Sequence, residues 1–203
     1  MTKLTLSKSS LLRESKRLES YERFLPSLDL KRQQLMLELS REESEVRRIE
    51  SELQALIDQS TLALPMLGNR EMDFSNLVRV KKVLRGEENK LGVVLPCHRG
   101  MEWEVAHYGL LTKPHWVDLL AERLRQACEL QLCRDVARER AEVMRVAARK
   151  ATQRVNLVSK ILIPEAQKNI RKIRIFLSDN ERAAVVRSKI AKKKKQALAG
   201  GLA

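Results

Sequence analysis

Glycine and proline are scarce in this chain, and their few positions divide it into three parts. Seven of its 203 residues are glycine and five are proline. Five glycines lie in the middle, at Gly68, Gly86, Gly92, Gly100 and Gly109, and the other two lie near the end. Because glycine and proline are the strongest interrupters of regular structure, the glycine-free stretches 1–67 and 110–199 predict two long helices around a compact insert.

Aromatic residues, long apolar runs and cysteines are also few. Aromatics make up 3% of the chain, which argues against a large globular core, whereas 43% apolar and 33% charged residues suit long amphipathic helices. No apolar run approaches the roughly 18–20 residues that span a bilayer, and the first eight residues lack the apolar stretch of a secretory signal. Three cysteines, Cys97, Cys128 and Cys133, form no disulfide framework and fit a reducing compartment. We therefore expect a cytoplasmic chain.

Negative charge is scarce in one region only, the second long segment. The formal net charge of the chain is +14. Between Arg140 and Lys195, 17 Lys and Arg residues stand against 4 Asp and Glu residues, a net +13. Such a field favours acidic partners, whether nucleic acid, anionic lipid or an acidic protein cavity.

A seven-residue repeat begins almost at the first residue. One core position holds Leu4, Leu11, Leu18, Leu25, Arg32, Leu39, Val46 and Leu53, of which seven are apolar. The position three residues later holds Ser7, Glu14, Tyr21, Leu28, Leu35, Glu42, Ile49 and Leu56. Eight sustained heptads predict a coiled-coil helix with a left-handed supercoil.

A second seam runs along the basic segment. Its residues are Ala137, Ala141, Met144, Ala148, Ala151, Val155, Val158, Leu162, Ala166, Ile170, Ile173 and Leu177. Steps of three and four alternate until steps of four follow each other around Pro164, which is a stutter that locally unwinds a supercoil. A helix of this length needs a partner for its apolar stripe, so we expect the two helices to pair antiparallel, with a shared bend at Pro26 and Pro164.

The insert is predicted to contain one short helix and a β-hairpin. Phe74, Leu77, Val78 and Leu84 suggest the helix, and residues 93–95, 96–100 and 101–105 read as strand, turn and strand. The predicted fold is mainly α, a long antiparallel two-helix coiled coil with a small mid-chain insert. The predicted divisions are an N-terminal helix over 1–62, the insert over 63–114, a C-terminal helix over 115–195 and a flexible tail over 196–203.

No motif for catalysis or cofactor binding is found in the sequence. It has neither a phosphate-binding loop nor a glycine-rich dinucleotide turn. His98, His107 and His115 lie near Cys97 in the insert, but their spacing matches no standard metal site. We expect no catalytic residue, metal or cofactor, and interpret these histidines as hairpin or interface residues.

The C-terminal segment contains Arg154-Val155-Asn156-Leu157, Ile163-Pro164, the segment 170–173 and the segment 177–182. These residues resemble the D-subunit of the V/A-type rotary ATPases, the central axle of an ATP-driven ion pump or ATP synthase. The segment 28–36, with Lys31 and Arg32, is similar to a basic segment of that family. The two ends, about 100 residues together, carry the resemblance.

The resemblance implies a non-catalytic rotor subunit. Members of the family insert an antiparallel coiled coil into a ring of alternating catalytic and non-catalytic subunits. The mid-chain end binds the small F-subunit and docks onto the funnel subunit on the membrane rotor ring, and nucleotides bind to the surrounding ring. The resemblance implies a cytoplasmic chain that is attached to the membrane only through the complex. It leaves open whether the complex moves protons or sodium ions, and whether it mainly synthesises or hydrolyses ATP.

Two groups of residues are candidate contacts of such a shaft. We expect exposed cations on the second helix to meet acidic loops of the ring, namely Arg171, Lys172, Arg174, Arg182, Arg187 and Lys189; the alternative is a solvated basic face. Trp103 and Trp116 could anchor a docked partner, or equally fill the junction between hairpin and coil.

The competing hypothesis is a basic coiled coil that binds nucleic acid. Phosphate binding would explain the charge of the second segment. Against it, that segment has only Phe176 for stacking on bases, and the Glu-rich residues 38–52 would repel phosphate. A membrane-surface helix pair is a weaker option, because no Trp- and Phe-bearing insertion face is evident.

Overall fold

The computed structural model describes residues 5–68, 77–105 and 116–200. Their elements in chain order are helix α1 (Lys8–Ala63), a 3₁₀ turn (Pro65–Gly68), strands β1 (Val78–Lys90) and β2 (Val93–Val105), helix α2 (Trp116–Leu157), a π turn (Val158–Leu162) and helix α3 (Ile163–Gly200). The protein is therefore mainly α with a hairpin in the middle, as predicted. The tail predicted over 196–203 begins inside α3, which is helical to Gly200.

Contacts divide the chain into two compact units. The terminal unit contains the chain up to Lys31 and from Thr152 onward. The central unit contains Arg32–Ala151, with the hairpin and the helix segments beside it.

The terminal unit is built on the predicted seam. Helix α1 begins after Ser7, whose hydroxyl accepts a hydrogen bond from the Ser10 backbone N–H at 3.2 Å, as N-cap serines do. Ala166, Ile170 and Ile173 of α3 are buried. On α1 the predicted positions Leu11, Leu18, Leu25, Tyr21 and Leu28 are half-buried, and Glu14 is buried. Helix α1 is unbroken through Pro26, and its shared bend with Pro164 stays a prediction.

The stutter predicted near Pro164 coincides with a π turn. The backbone N–H of Ile163 donates to the carbonyl of Val158, a bond that closes a turn one residue longer than an α-turn. Downstream of Leu162, the seam residues lie one position later than an uninterrupted heptad would place them. The wider turn takes up this extra residue, so Ala166, Ile170 and Ile173 remain buried.

The central unit continues the seam and fixes the direction of the helices. Leu35, Ile49 and Leu56 of α1 are buried, as are Ala137, Ala141, Met144 and Ala148 of α2. Two ion pairs join the helices: Glu43 with Arg145 at 2.9 Å, and Glu50 with Arg138 at 2.5 Å. A step of seven residues forward on α1 is a step of seven residues back on α2, so the helices are antiparallel here, as predicted.

The hairpin differs from its prediction in position and length. Strands β1 and β2 are each 13 residues long and pair antiparallel. Their turn is Leu91-Gly92, with φ of 54° and 78°, whereas the predicted turn, Pro96–Gly100, lies within β2. The short helix predicted from Phe74 to Leu84 is wrong for the described part, because Val78 and Leu84 lie in β1; Phe74 is outside the described residues.

Physical features of the strands explain the wrong turn. Pro96 pairs with Glu87 in an isolated two-stranded sheet, where an edge position tolerates a residue without an N–H. Near Gly100 the register shifts by one residue, and Gly100 has φ 144°. Glycine there marks a β-bulge rather than a turn.

Two apolar clusters attach the hairpin and its flanks to the helices. Leu95 of β2 is fully buried against Leu35, Met144 and Ala148. Near the start of α2, Leu64, Leu77, Val117, Leu120 and Ala121 form the second cluster. Burying a side chain such as Leu95 contributes about 1.5–3 kcal/mol.

Candidate functional site

An ionic cluster holds the hairpin on the helix pair in the central unit. Glu42 of α1 is its centre, with a side chain only 6% exposed. Its carboxylate accepts hydrogen bonds from Arg140 Nε at 2.9 Å, Arg140 Nη2 at 2.8 Å and Lys90 Nζ at 3.1 Å. Lys90, at the end of β1, also donates to Glu38 at 2.9 Å. Arg140 therefore joins α2 to α1, and Lys90 joins the hairpin to α1.

Arg140 also binds the hairpin directly. Its Nη1 donates to the Glu88 carboxylate at 3.1 Å and to the Pro96 carbonyl at 3.2 Å. One guanidinium thus contacts α1 and both strands. This fork of donors is a property of arginine that a lysine could not reproduce.

The cluster shifts the acidity of its members. Hydrogen bonds from Arg140 hold the pKa of Glu42 below its usual range, although burial acts in the opposite direction. The hydrogen bond from Lys90 likewise lowers the pKa of Glu38, and the bond to Glu38 raises the pKa of Lys90. The carboxylates are therefore ionised at neutral pH.

Glutamates in the acidic stretch of α1 form ion pairs with cations of the same chain. Besides Glu42, Glu43 pairs with Arg145 and Glu50 pairs with Arg138, both on α2. These ion pairs neutralise the positive charge of arginines in the central unit. The positive charge that remains for partners therefore lies mainly on α3.

Helix α3 ends in an exposed basic arm, which we define as residues 179–196. Every residue of the arm is exposed. It carries seven Lys and Arg residues against Asp179 and Glu181. Glu181 lies 3.8 Å from Lys8, the first residue of α1, so α3 extends roughly 28 Å beyond the start of its partner helix.

All six predicted ring contacts are exposed. Arg182, Arg187 and Lys189 lie in the arm, and Arg171, Lys172 and Arg174 lie one to two turns before it. The structure therefore leaves their cationic groups accessible, and their contacts with a ring stay a prediction.

The two tryptophans have different surroundings. Trp116 is half-buried and packs against the cluster of Leu64 and Val117 at the start of α2. Trp103 is half-buried in β2, opposite Val80 of β1. Trp116 thus contributes to packing, and a docking role for either residue stays a prediction.

The predicted interpretation of the histidines can be examined only at His98. Both of its ring nitrogens are buried and make no hydrogen bond with the protein. His98 is one of the residues that line an open groove of about 540 Å³, together with Glu42, Cys133 and Arg140. His107 and His115 lie outside the described residues.

The cysteines and acidic groups suggest no metal centre in the described ranges. Cys97, Cys128 and Cys133 are half-buried free thiols, and burial, followed by the charge of Glu129, raises the pKa of Cys133. Within residues 5–68, 77–105 and 116–200, no three His, Cys, Asp or Glu side chains are placed to hold a metal ion. In those same ranges, no helix is both long and apolar enough to cross a bilayer.

Comparison with known proteins identifies the family of this chain. The family described as the D-subunit of ATP synthase matches residues 10–193. The chain belongs to this family. It is similar to the V-type ATP synthase D-subunit of Borreliella burgdorferi, with 33% identity over 192 residues, 95% of each chain. It is also similar to those of Chlamydia felis, with 32% identity over 200 residues (96% of this chain and 95% of that protein), and Chlamydia muridarum, with 30% over 205 residues (96% and 97%).

The residues that suggested this family lie in the terminal unit or at its border. Arg154 and Asn156 are exposed near the end of α2, and Val155 is half-buried on the seam. Ile163 and Pro164 are half-buried at the start of α3. Lys31 is exposed and Arg32 is half-buried on α1. Residues 154–156 and 163–164 therefore flank the π turn, where the helical backbone departs from regular α geometry.

Sequence reasoning missed the ionic cluster. Glu42 stood on the predicted seam, and a carboxylate at a core position was a signal that a cation must lie opposite. The partner could not be identified from it, because Arg140 lies 98 residues away.

Proposed function

We propose that this chain is the central shaft of a V/A-type rotary ATPase and transmits torque between the catalytic ring and the membrane ion-translocating ring. In this proposal it is non-catalytic and binds no nucleotide. Its partners are the catalytic and non-catalytic ring subunits, the small F-subunit and the funnel subunit on the membrane rotor. It lies peripheral to the membrane, attached through the complex.

The observation that carries the proposal is the basic arm. Residues 179–196 are exposed throughout on a helix that runs past the start of its own partner. Exposed side chains such as Val186 and Ile190 lie among its cations. A helix of this kind needs an external environment that accepts both charge and apolar surface, and an encircling ring supplies it.

The physics of a shaft also agrees with the contacts of the arm. A shaft that turns needs several contacts that are individually weak. Exposed ion pairs contribute about 0–1 kcal/mol each, so the cations of the arm can form and break contacts with successive ring subunits. The buried seam and the antiparallel helices supply stiffness between those contacts.

The test is charge reversal in the arm. The triple variant Arg182→Glu, Arg187→Glu and Lys189→Glu is added to a ring assembled from the catalytic and non-catalytic subunits, and affinity and ATPase rate are measured. The matched control exchanges the same residues for the other cation: Arg182→Lys, Arg187→Lys and Lys189→Arg. We expect the reversed variant to bind at least about tenfold more weakly, which corresponds to about 1.4 kcal/mol, and the control to bind normally. Equal binding of all three chains would contradict the proposal.

The nucleic-acid hypothesis is examined in the same experiment. Family membership favours the shaft over nucleic-acid binding, because the relatives are subunits of a V-type ATP synthase. Failure of the chain to bind the ring, together with salt-sensitive binding of DNA or RNA, would reverse that preference.

A further inference from the structure

Helix α3 carries an exposed row of apolar side chains in addition to its seam. Phe176, Val186 and Ile190 are 40%, 54% and 51% exposed, and Ala183 is exposed between them. Phe176, Ala183 and Ile190 are spaced seven residues apart, and Val186 lies three residues after Ala183 and four before Ile190. These spacings place the four side chains on one face of the helix. We call this row the α3 stripe.

The α3 stripe is a different face from the seam. Ile173 on the seam is buried, and Leu177 is half-buried. The same steps of three and four continued beyond Leu177 reach polar or small residues, namely Asn180, Ala184, Arg187 and Ala191. The seam therefore loses its apolar character where the arm begins, while the α3 stripe continues along the arm.

Cations border the α3 stripe on both sides. Arg182 precedes Val186 by four residues and Lys189 follows it by three, so both are its neighbours on one side. Arg187 lies on the other side, three residues before Ile190. Long basic side chains of this kind lay their stems along apolar surface and keep the charged head outside it. An apolar row with such borders is typical of a helix that lies in the surface of an anionic bilayer.

The charge of the arm is complementary to such a surface. Its seven Lys and Arg residues against Asp179 and Glu181 give a net charge of +5, and anionic lipids attract clusters of cations of this size. A protein ring encloses a helix from every side and does not require an apolar row bordered by cations. A bilayer surface does, because it is anionic at the headgroups and apolar just below them.

We propose that the unassembled chain binds anionic lipid bilayers through the arm. The α3 stripe inserts between the lipid headgroups, and the bordering cations lie at the lipid phosphates. This binding goes beyond the shaft function and does not depend on it. Ring and bilayer cover the same residues, so the bilayer holds the free chain and the ring displaces it.

The first test is sedimentation of the full chain with lipid vesicles. The probe vesicles contain phosphatidylglycerol and phosphatidylcholine in equal amounts, and vesicles of phosphatidylcholine alone are the reference. We expect the chain to sediment with the anionic vesicles only, and to bind them more weakly as the salt concentration rises. Absence of binding to the anionic vesicles, or equal binding to both kinds, would overturn the proposal.

Two adjacent valines of the arm provide a matched pair that separates the stripe from charge alone. Val186 lies in the α3 stripe, whereas Val185, 55% exposed, lies on the opposite face, four residues after Glu181. We expect Val186→Ser to raise the lipid concentration for half-binding at least about threefold, and Val185→Ser to bind like the unchanged chain. Because both side chains are exposed, circular dichroism without vesicles should show the same helix content in both variants. Equal binding of the two variants would overturn insertion of the stripe.

The competing occupant is nucleic acid, which the arm could bind by charge alone. Duplex DNA is added to the vesicle-bound chain at an equal concentration of phosphate. We expect most of the chain to stay on the vesicles, because DNA offers no apolar layer for the stripe. Complete transfer to the DNA would overturn the assignment to a bilayer.

Addition of the assembled ring separates this inference from the proposed function. We expect the ring to release the chain from the vesicles. A chain that binds the ring but not the vesicles would leave the shaft standing and refute the bilayer contact. A chain that binds the vesicles but not the ring would do the reverse. A chain that binds both at once would show that the bilayer contact does not use the arm.

Discussion

Replacing Glu42 by glutamine tests the ionic cluster most directly. The substitution keeps the shape and one acceptor oxygen but removes the charge at the centre of three hydrogen bonds from Arg140 and Lys90. Removing one partner of a buried ion pair costs about 3–5 kcal/mol. Here Arg140 keeps Glu88 and Lys90 keeps Glu38, so neither cation is left alone. We therefore expect the free energy of unfolding to fall by about 2–3 kcal/mol.

The assay is urea unfolding of the full chain at pH 7, followed by circular dichroism. Glu52→Gln is the matched control, because Glu52 is 45% exposed and pairs with Arg48 on the same helix. Exposed pairs contribute about 0–1 kcal/mol, so the control should lose less than Glu42→Gln. A double-mutant cycle with Arg140→Met should give a coupling energy above about 0.5 kcal/mol. A loss at Glu42 no larger than at Glu52, or no coupling with Arg140, would refute the cluster.

Two further predictions concern acid and the hairpin. Arg140 lowers the pKa of Glu42 in the folded state. The stabilisation by Glu42 is therefore complete above the unfolded pKa of about 4.3 and is lost as the pH falls through the folded pKa. The urea midpoint should fall in acid, and fall less in Glu42→Gln, whereas equal acid sensitivity of the two chains would count against the cluster. Gly100→Ala should lower stability by about 1–3 kcal/mol, because φ is 144° and no neighbouring atom lies within 4 Å of an added Cβ. The backbone alone then sets the cost, and an unchanged midpoint on urea unfolding would show that the bulge does not hold Gly100 in this conformation.

Hydrophobic periodicity predicted the long-range framework correctly. The heptads identified the buried faces of both helices, down to Ile49 on α1 and Met144 on α2. This succeeds because a stripe repeated over many turns leaves one arrangement that buries it. The stutter was also placed correctly, although its realisation as a π turn depends on the backbone near Pro164.

The turn of the hairpin and the ionic cluster could not be predicted from the sequence, for physical reasons. The turn begins with Leu91 at φ 54°, a conformation that favours glycine, asparagine or aspartate, so Leu91 itself gave no signal of the turn, although Gly92 follows it. Pro96 and Gly100 looked like a turn because the sequence does not reveal whether a strand is at an edge or carries a bulge. The ionic cluster depends on contacts between distant segments, which periodicity alone does not specify.

As the proposed shaft, the chain turns inside a ring of catalytic subunits. The most direct measurement fixes the assembled ring to a surface, attaches a bead to the hairpin at Asn89, and records the bead while ATP is hydrolysed. We predict continuous rotation in one direction, which slows when the arm carries the three charge reversals. A bead that stays in place while the same complexes hydrolyse ATP at the full rate would contradict the proposal that this chain is the rotating shaft.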